Sequence, residues 1–265
     1  MRGLFPGRAE RHPELARALP FALLIAGIAL DTVWPRLAGV PSLHGLHGWD
    51  MRWNYGLRNL AALIAIIGWL PALPELKWRG ANADWRALAA QAVLAVLIGL
   101  VVFVIWISAP MAAFAQSHGG LDWQALRGSA QSLTPAVQGM TGSGFSPLDA
   151  TGQMDWPLAA SRLAGSALVV PVAEELFWRS LVMRTVDGAH FEQRDPRRVG
   201  GRAFWLQAMC FGAEHDLWLA GILAGVFYGW LYRRTGRLWP AILAHATTNA
   251  VLGIWVLRTG NWGYW

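Results

Sequence analysis

Three short polar stretches interrupt the apolar runs of this 265-residue chain: "AEELFWR" (173–179), "FGAEH" (211–215) and "HATTN" (245–249). Ionisable side chains cost free energy inside a bilayer, so acids and histidines within an apolar run indicate a functional site. A carboxylate, two imidazoles and an amide in one confined wet pocket could activate water and stabilise an oxyanion. The residue types therefore favour hydrolysis of an amide bond at the membrane.

Helix geometry gives the two adjacent glutamates of the first stretch different roles. Glu175 and Arg179 are spaced i,i+4 with the acid first, which is the preferred order for an ion pair on one helix face. We expect this pair to be structural, because a buried charge needs a partner. Glu174 is rotated by about 100° from Glu175. It has no partner in the local sequence, so we expect it to face a cavity and act as the base.

The second and third stretches supply the predicted partners of Glu174. We expect His215 to share or relay the proton of the attacked water, with Phe211 on the same helix face as support. His245 and Asn249 are also spaced i,i+4 and are predicted to donate hydrogen bonds to the developing oxyanion. The alternative for a single histidine in a membrane helix is a structural hydrogen bond between helices.

Distance along the helices supports convergence of these groups. A rise of 1.5 Å per residue places Glu174, His215 and His245 about 12–20 Å from basic residues of the flanking loops. Those loops are predicted to lie on the same side of the membrane. The polar groups therefore fall into one layer, between that face and the midplane.

The elements that must position these side chains are apolar and long. The chain is 55% hydrophobic and 14% charged, whereas soluble domains carry about 25% charged residues. We predict an all-α polytopic membrane protein with about seven to eight transmembrane helices. The apolar runs are 18–34, 56–73, 87–109, 158–183, 203–215, 217–232 and 238–257. The run 203–215 is too short to span, so we predict a half-helix that ends inside the membrane.

The loops between the apolar runs predict the orientation. Most of the 22 lysines and arginines fall in the N-terminal tail and in every second loop after it. The positive-inside rule then places the N-terminus in the cytosol and the C-terminus outside. The same distribution, without a long basic run, argues against a nucleic-acid partner. The long connection 110–155 would lie outside, as a flexible loop or as a lid over a substrate.

Taken in order, the motifs resemble the CPBP family of intramembrane proteases, which includes the type II CAAX prenyl endopeptidases. The resemblance rests on Glu174-Glu175-x-x-x-Arg179, Phe211-x-x-x-His215 and His245-x-x-x-Asn249, listed here in chain order. The approach to the last motif, "RRTGRLWPAILAHATTN", is also similar. The resemblance covers about 158–258, which we predict to be the catalytic helical core. Residues 1–157 would form N-terminal transmembrane helices and the long outer loop.

The resemblance implies a helical core around a cavity that opens to the membrane and the cytosol. It assigns water activation to Glu174 and His215, and oxyanion stabilisation to His245 and Asn249. Glu174, His215 and His245 could alternatively form a zinc site with an open position. The sequence leaves glutamate and metalloprotease mechanisms open, and the cofactor is unknown apart from this zinc option.

The resemblance also implies a membrane-associated protein or peptide as substrate. The many Arg, Ala and Trp residues suit a bacterial source, so we expect a multi-pass protein of the bacterial inner membrane. An exosortase-associated role is one further hypothesis from the general resemblance. Two other functions stay open: a non-catalytic scaffold or immunity-type protein of the same fold, and a proton-coupled transporter.

Overall fold

The structure is a computed structural model that describes residues 12–37, 50–77, 84–117 and 145–265. Within these ranges the chain is helical and contains no β-strand. The helices are α1 Pro13–Leu37, α2 Asn54–Trp69, α3 Trp85–Ser117, α4 Trp156–Asp187, α5 Gly201–Ala213, α6 Trp218–Thr235 and α7 Trp239–Thr259. The predicted all-α polytopic membrane fold is confirmed.

Five segments of the described residues are long and apolar enough to cross a membrane: Pro13–Asp31, Met51–Ala72, Trp85–Ser108, Trp156–Asp187 and Trp239–Thr259. Their outer faces are apolar. On α2, for example, Leu57, Leu60, Ile64 and Ile67 are all exposed. These four recur every three or four residues and so form one stripe along the helix. Such a stripe suits contact with lipid tails, which offer no hydrogen bonds.

Helix α4 carries both glutamates and is not a regular α-helix. It contains two π-helical segments, Gly165–Val169 and Leu176–Val182. The first ends two residues before Pro171, which has no N–H and whose ring crowds the carbonyl one turn back, so the helix widens there. Glu174 and Glu175 lie on the α-helical turn between the two π segments. π segments are frequently found at functional sites.

Helix α7 packs closely against α3 and α6. A Cβ at Gly99 of α3 would overlap the carbonyl oxygen of Ala244, so only glycine permits this approach. Thr248 Oγ1 donates to the Gly99 carbonyl at 2.8 Å and accepts from Tyr228 Oη at 2.8 Å. Small residues at the crossing and a buried hydroxyl chain are typical of helix contacts in membranes. Together they fix the rotation of α7 and so the direction of its polar face.

Helices α5 and α6 form a tight hairpin. Gly225 of α6 lies against Ala208 of α5, and Gln207 Nε2 donates to the Gly225 carbonyl at 3.2 Å. Helix α5 has 13 residues, which agrees in length with the predicted half-helix. The turn between the two helices carries Glu214 and His215 and is directed at α4.

The predicted connection 110–155 differs from the structure at its start. Helix α3 continues through 110–117, because a proline is tolerated in a membrane helix when its neighbours satisfy the freed carbonyl. Residues 118–144, on which the lid hypothesis mostly depends, lie outside the described ranges. Residues 145–155 return to the bundle, where Arg52 Nη1 donates to the carbonyls of Ser146 and Leu148 at 3.1 and 2.7 Å.

Candidate active site

Glu175 is the centre of a buried charge cluster. Its side chain is fully buried. Oε2 lies 3.0 Å from Arg179 Nε, and Oε1 accepts from His245 Nδ1 at 3.0 Å. The i,i+4 pair expected from the sequence is present. The second contact was not expected, and it means that Glu175 also orients a histidine of α7.

Arg179 is fully buried beside Glu175. Its N–H groups are not aligned on the carboxylate oxygen, so the attraction is mainly coulombic. The guanidinium carbon lies 4.3 Å from the centroid of the Phe211 ring and 5.6 Å from that of Tyr228. Aromatic faces attract a cation through the ring quadrupole, and more strongly in a desolvated site. Phe211 therefore contributes to holding the guanidinium in place.

Glu174 has a different environment from its neighbour. Its Oε2 is buried and accepts no hydrogen bond from any residue that the structure describes. The nearest imidazole nitrogen in an ion-pair contact is His245 Nε2, at 3.9 Å. That separation is too long for a direct hydrogen bond and is suited to a bridging water or substrate atom. A buried carboxylate oxygen without a partner is uncommon in folded proteins and calls for a functional explanation.

His215 is held in one tautomer by the helix that carries it. Its Nδ1 lies 2.7 Å from the carbonyl oxygen of Phe211. A carbonyl can only accept, so Nδ1 carries the proton and Nε2 keeps a lone pair. Trp106 of α3 packs edge-on against the ring, with centroids 5.3 Å apart. The imidazole is thus positioned to accept a proton or to bind a metal through Nε2.

His245 is fixed on two sides. Glu175 accepts from Nδ1, and the ring of Tyr228 stacks on the imidazole with centroids 4.9 Å apart and planes inclined by 18°. Since Tyr228 Oη is itself anchored on Thr248, the stack cannot rotate freely. Nε2 is left directed toward Glu174.

Asn249 lies one turn after His245 on the same face of α7. Its Nδ2 donates to the carbonyl of Ser166 at 2.8 Å. Ser166 belongs to the first π segment of α4, so the irregular helix provides the acceptor that orients this amide. An amide nitrogen carries two hydrogens, and one of them stays available for a second acceptor.

The four side chains predicted from the motifs line one cavity of about 220 Å³: Glu174, His215, His245 and Asn249. Glu174 and His215 also line a second cavity of about 230 Å³. The far wall of that cavity consists of apolar side chains of α1, namely Phe21, Leu24, Ile25 and Ile28. Glu174 and His215 therefore lie between a chamber inside the core and a groove whose far wall is the apolar face of α1.

A metal could be held by a set of residues that differs from the predicted one. One ligand atom each of Glu174, Glu214 and His215 lies within 4.8 Å of the others. The sequence suggested His245 in place of Glu214. Carboxylate oxygens and an imidazole nitrogen are suitable zinc ligands. The Nδ1 hydrogen bond of His215 to a carbonyl is the usual support for a metal-binding imidazole, so these residues fit a divalent cation.

Sequence reasoning missed several residues of the cavity. Arg162, Tyr228, Tyr264 and Trp265 all line it. Burial raises the pKa of Tyr264 to about 12, so the phenol stays protonated and donates to the Ile107 carbonyl at 3.3 Å. The only available signal was for Arg162, a basic residue inside an apolar run. The aromatic residues gave none, because tryptophan and tyrosine are common throughout membrane interfaces.

Comparison with known proteins supports the motif interpretation. Residues 156–251 match the family model described as type II CAAX prenyl endopeptidase Rce1-like. The match begins at the first residue of α4 and ends within α7, and so contains all three motifs. No curated protein and no solved structure shows significant similarity to the chain. The predicted resemblance to the CPBP family is confirmed by this match.

Proposed function

Because residues 156–251 belong to the Rce1-like family of type II CAAX prenyl endopeptidases, we propose that the protein hydrolyses a peptide bond of a membrane-associated protein or peptide within the membrane. One observation carries the site assignment. The buried, unpartnered carboxylate oxygen of Glu174 faces a cavity that it shares with His215, His245 and Asn249.

In the proposed reaction Glu174 and His215 activate water. Glu174 Oε2 has no competing donor, and His215 Nε2 has a lone pair because Nδ1 donates to Phe211. Water attacks the scissile carbonyl carbon while one of its protons moves to Glu174. The proton is then given to the leaving amine nitrogen as the C–N bond breaks, which restores the carboxylate. General base catalysis of this kind contributes about 10²–10⁴-fold to rate.

His245 and Asn249 are proposed to stabilise the oxyanion. His245 can donate from Nε2 only when both ring nitrogens carry protons, since Nδ1–H is already held by Glu175. We propose this form for the state in which Glu174 is ionised. With Glu174 and Glu175 ionised and Arg179 positive, a protonated His245 makes the buried cluster neutral. Asn249 supplies its second amide hydrogen, the first being held by Ser166.

The metal alternative uses some of the same residues. Glu174, Glu214 and His215 would hold a divalent cation such as zinc, which when bound would polarise water and the substrate carbonyl. In that case Glu175, Arg179 and His245 keep the positions described above. The chemistry of the donor set supports both mechanisms, and removal of metal distinguishes them.

The apolar groove against α1 supports substrate entry from the lipid. We place the catalytic core at 158–258 and propose that 1–157 contributes α1 as the groove wall. We also propose that the protein resides in a bacterial plasma membrane with its N-terminus in the cytosol, which rests on the loop charges. The predicted layer of polar groups would then lie nearer the cytosolic face.

The test compares protein termini in cells. Matched cultures would express wild type, Glu174→Gln or Glu214→Gln at equal levels, and membrane-protein termini would be compared by mass spectrometry. We expect termini that are present in wild type, absent in Glu174→Gln and retained in Glu214→Gln. If wild type and Glu174→Gln give identical sets of termini, a non-catalytic scaffold of the same fold replaces the proposal.

A further inference from the structure

A further pocket, with a polar lining, lies at the C-terminal end of α4, away from Glu174. It has a volume of about 330 Å³ and is lined by residues of α1, the 74–77 turn, the last turn of α4 and the connection between α6 and α7. Arg184 in its wall is ten residues from Glu174, or about 15 Å along the helix. The loop charges place this end of the bundle at the cytosolic surface.

One ion pair in the pocket, Arg17 with Glu75, is fully hydrogen-bonded within the protein. Arg17 Nε and Nη2 donate to the two carboxylate oxygens of Glu75 at 2.6 and 3.0 Å, and Nη1 donates to the Pro13 carbonyl at 2.7 Å. The Ser180 hydroxyl donates to the same carboxylate. Each of the three guanidinium nitrogens of Arg17 thereby donates a hydrogen bond, and Glu75 neutralises its charge, so this pair contributes no free charge.

Arg184 is left without a counter-ion. Its residue surface is 7% exposed, and among the described residues no carboxylate lies within ion-pair distance. Its guanidinium donates to the carbonyl and the hydroxyl of Ser180 at 2.7 and 3.3 Å. The ring of Phe191 lies 5.4 Å from the guanidinium carbon. A buried cation needs compensation by an anion, and removal from water without one is costly.

Two further cations share the same wall. Lys77 and Arg237 line the pocket from different elements, and neither has an acidic partner among the described residues. The other acid of the pocket is Glu192, which is half-exposed and lies 3.8 Å from Arg17 Nη2. Tyr232 adds a neutral hydroxyl to the lining. With Glu75 neutralised by Arg17, the described lining carries an excess of positive charge.

We propose that this pocket binds a phosphate group, as presented by the headgroup of an anionic phospholipid at the cytosolic leaflet or by free phosphate. A tetrahedral anion accepts from several directions at once, which suits cations that come from three separate elements. Anionic headgroups lie at the depth that the loop charges assign to Arg184. The inference concerns a site separate from the catalytic cavity and does not depend on the proposed protease activity.

The experiment uses the full chain in neutral detergent, titrated with short-chain phosphatidylglycerol, with matched phosphatidylcholine, or with inorganic phosphate. Binding is followed by the thermal unfolding midpoint and by native mass spectrometry. We expect saturable binding of phosphatidylglycerol and none of phosphatidylcholine. If inorganic phosphate also binds, free phosphate is sufficient as the ligand. If only phosphatidylglycerol binds, the ligand is the lipid headgroup.

Substitutions test whether the lipid binds in this pocket. Arg184→Gln should weaken phosphatidylglycerol binding about tenfold or more, because it removes a charged hydrogen-bond donor. Lys77→Gln should weaken it about fivefold, as for one basic residue near the membrane surface. Arg234→Gln is the matched control, since this exposed arginine lies on the same end of α6 outside the described lining.

Equal binding of both lipids would overturn the proposal. So would phosphatidylglycerol binding that is unchanged in Arg184→Gln and in Lys77→Gln. If Arg184→Gln does not fold, Lys77→Gln and Arg237→Gln are used in its place. Lys77 is exposed and Arg237 is half-buried, and neither takes part in a described ion pair that supports the bundle.

Discussion

Helix α4 takes part in two buried charge clusters, which differ in whether every carboxylate oxygen accepts a hydrogen bond. Around Ser180, the Glu75 carboxylate accepts hydrogen bonds at both oxygens from Arg17 and from the serine hydroxyl. One and a half turns earlier, Glu174 presents a buried oxygen that accepts none from the described residues. Both clusters bury charge between α4 and other helices, but only one has all its oxygens occupied.

This difference separates a structural from a chemical use of buried charge. A carboxylate whose oxygens are all occupied ties helices together and offers no lone pair to a substrate. A carboxylate left open beside a cavity is costly to the fold and is suited to act as a base. Glu175 is closer to the first kind, because His245 Nδ1 donates to its Oε1 and the Arg179 guanidinium lies at ion-pair distance from Oε2, although without an aligned hydrogen bond. The adjacent Glu174 belongs to the second.

The largest expected effect is that of Glu174→Gln. The change keeps the size of the side chain and removes the basic oxygen, so cleavage of a membrane substrate should fall about 10³-fold. Thermal stability in detergent should stay the same or rise, since a buried carboxylate oxygen that accepts no hydrogen bond from the described residues is removed. The rate is measured on reconstituted protein with a substrate found by terminus mapping. Full activity in this variant would remove Glu174 from the role of base.

Glu75→Gln should have the opposite profile. Leaving Arg17 buried without its counter-ion is expected to lower the free energy of unfolding by about 3 kcal/mol. Cleavage per folded molecule should stay within about threefold, because Glu75 does not line the candidate catalytic cavity. Denaturant or thermal unfolding is measured beside the rate. The double variant Arg17→Met/Glu75→Gln should recover part of the lost stability. A strong loss of cleavage rate in folded Glu75→Gln would contradict the assignment of a purely structural role to Glu75.

Asn249→Ala tests the oxyanion assignment with a smaller expected effect. Loss of one donor to the developing charge should lower kcat about 10²-fold, with KM changed much less. The lost bond to the Ser166 carbonyl should reduce stability by about 1 kcal/mol. A variant whose KM rises while kcat is kept would instead indicate that Asn249 binds substrate in the ground state.

The smallest expected effect belongs to Glu214→Gln. Its described hydrogen bond is the one accepted from Trp178 Nε1 at 2.9 Å, and the amide oxygen of glutamine can keep it. The rate should therefore stay within about threefold of wild type, a change of less than about 1 kcal/mol in the barrier. A loss of tenfold or more that added zinc reverses would place Glu214 among metal ligands and favour the metal mechanism.

The sequence predicted which polar residues meet in the candidate site to a large extent, because helix periodicity is a local property. The i,i+4 spacing put Glu175 with Arg179 and His245 with Asn249 on shared faces, and the apolar runs placed the helices that carry them. It did not predict the π segments of α4, although Pro171 was a signal for local widening. The extension of α3 past Pro110 was also missed, since a proline usually ends a helix in a single-sequence interpretation.

By itself the sequence determined the membrane class, the seven apolar segments and the identity of the polar groups placed within them. Periodicity and charge act over a few residues, so they can be counted along the chain. Only the tertiary structure decided which groups these side chains contact. His245 Nδ1 donates to Glu175 and not to Glu174, and Asn249 donates one amide hydrogen to the Ser166 carbonyl. Those contacts join residues up to 83 positions apart, and they depend on how helices rotate against each other, which local spacing does not specify.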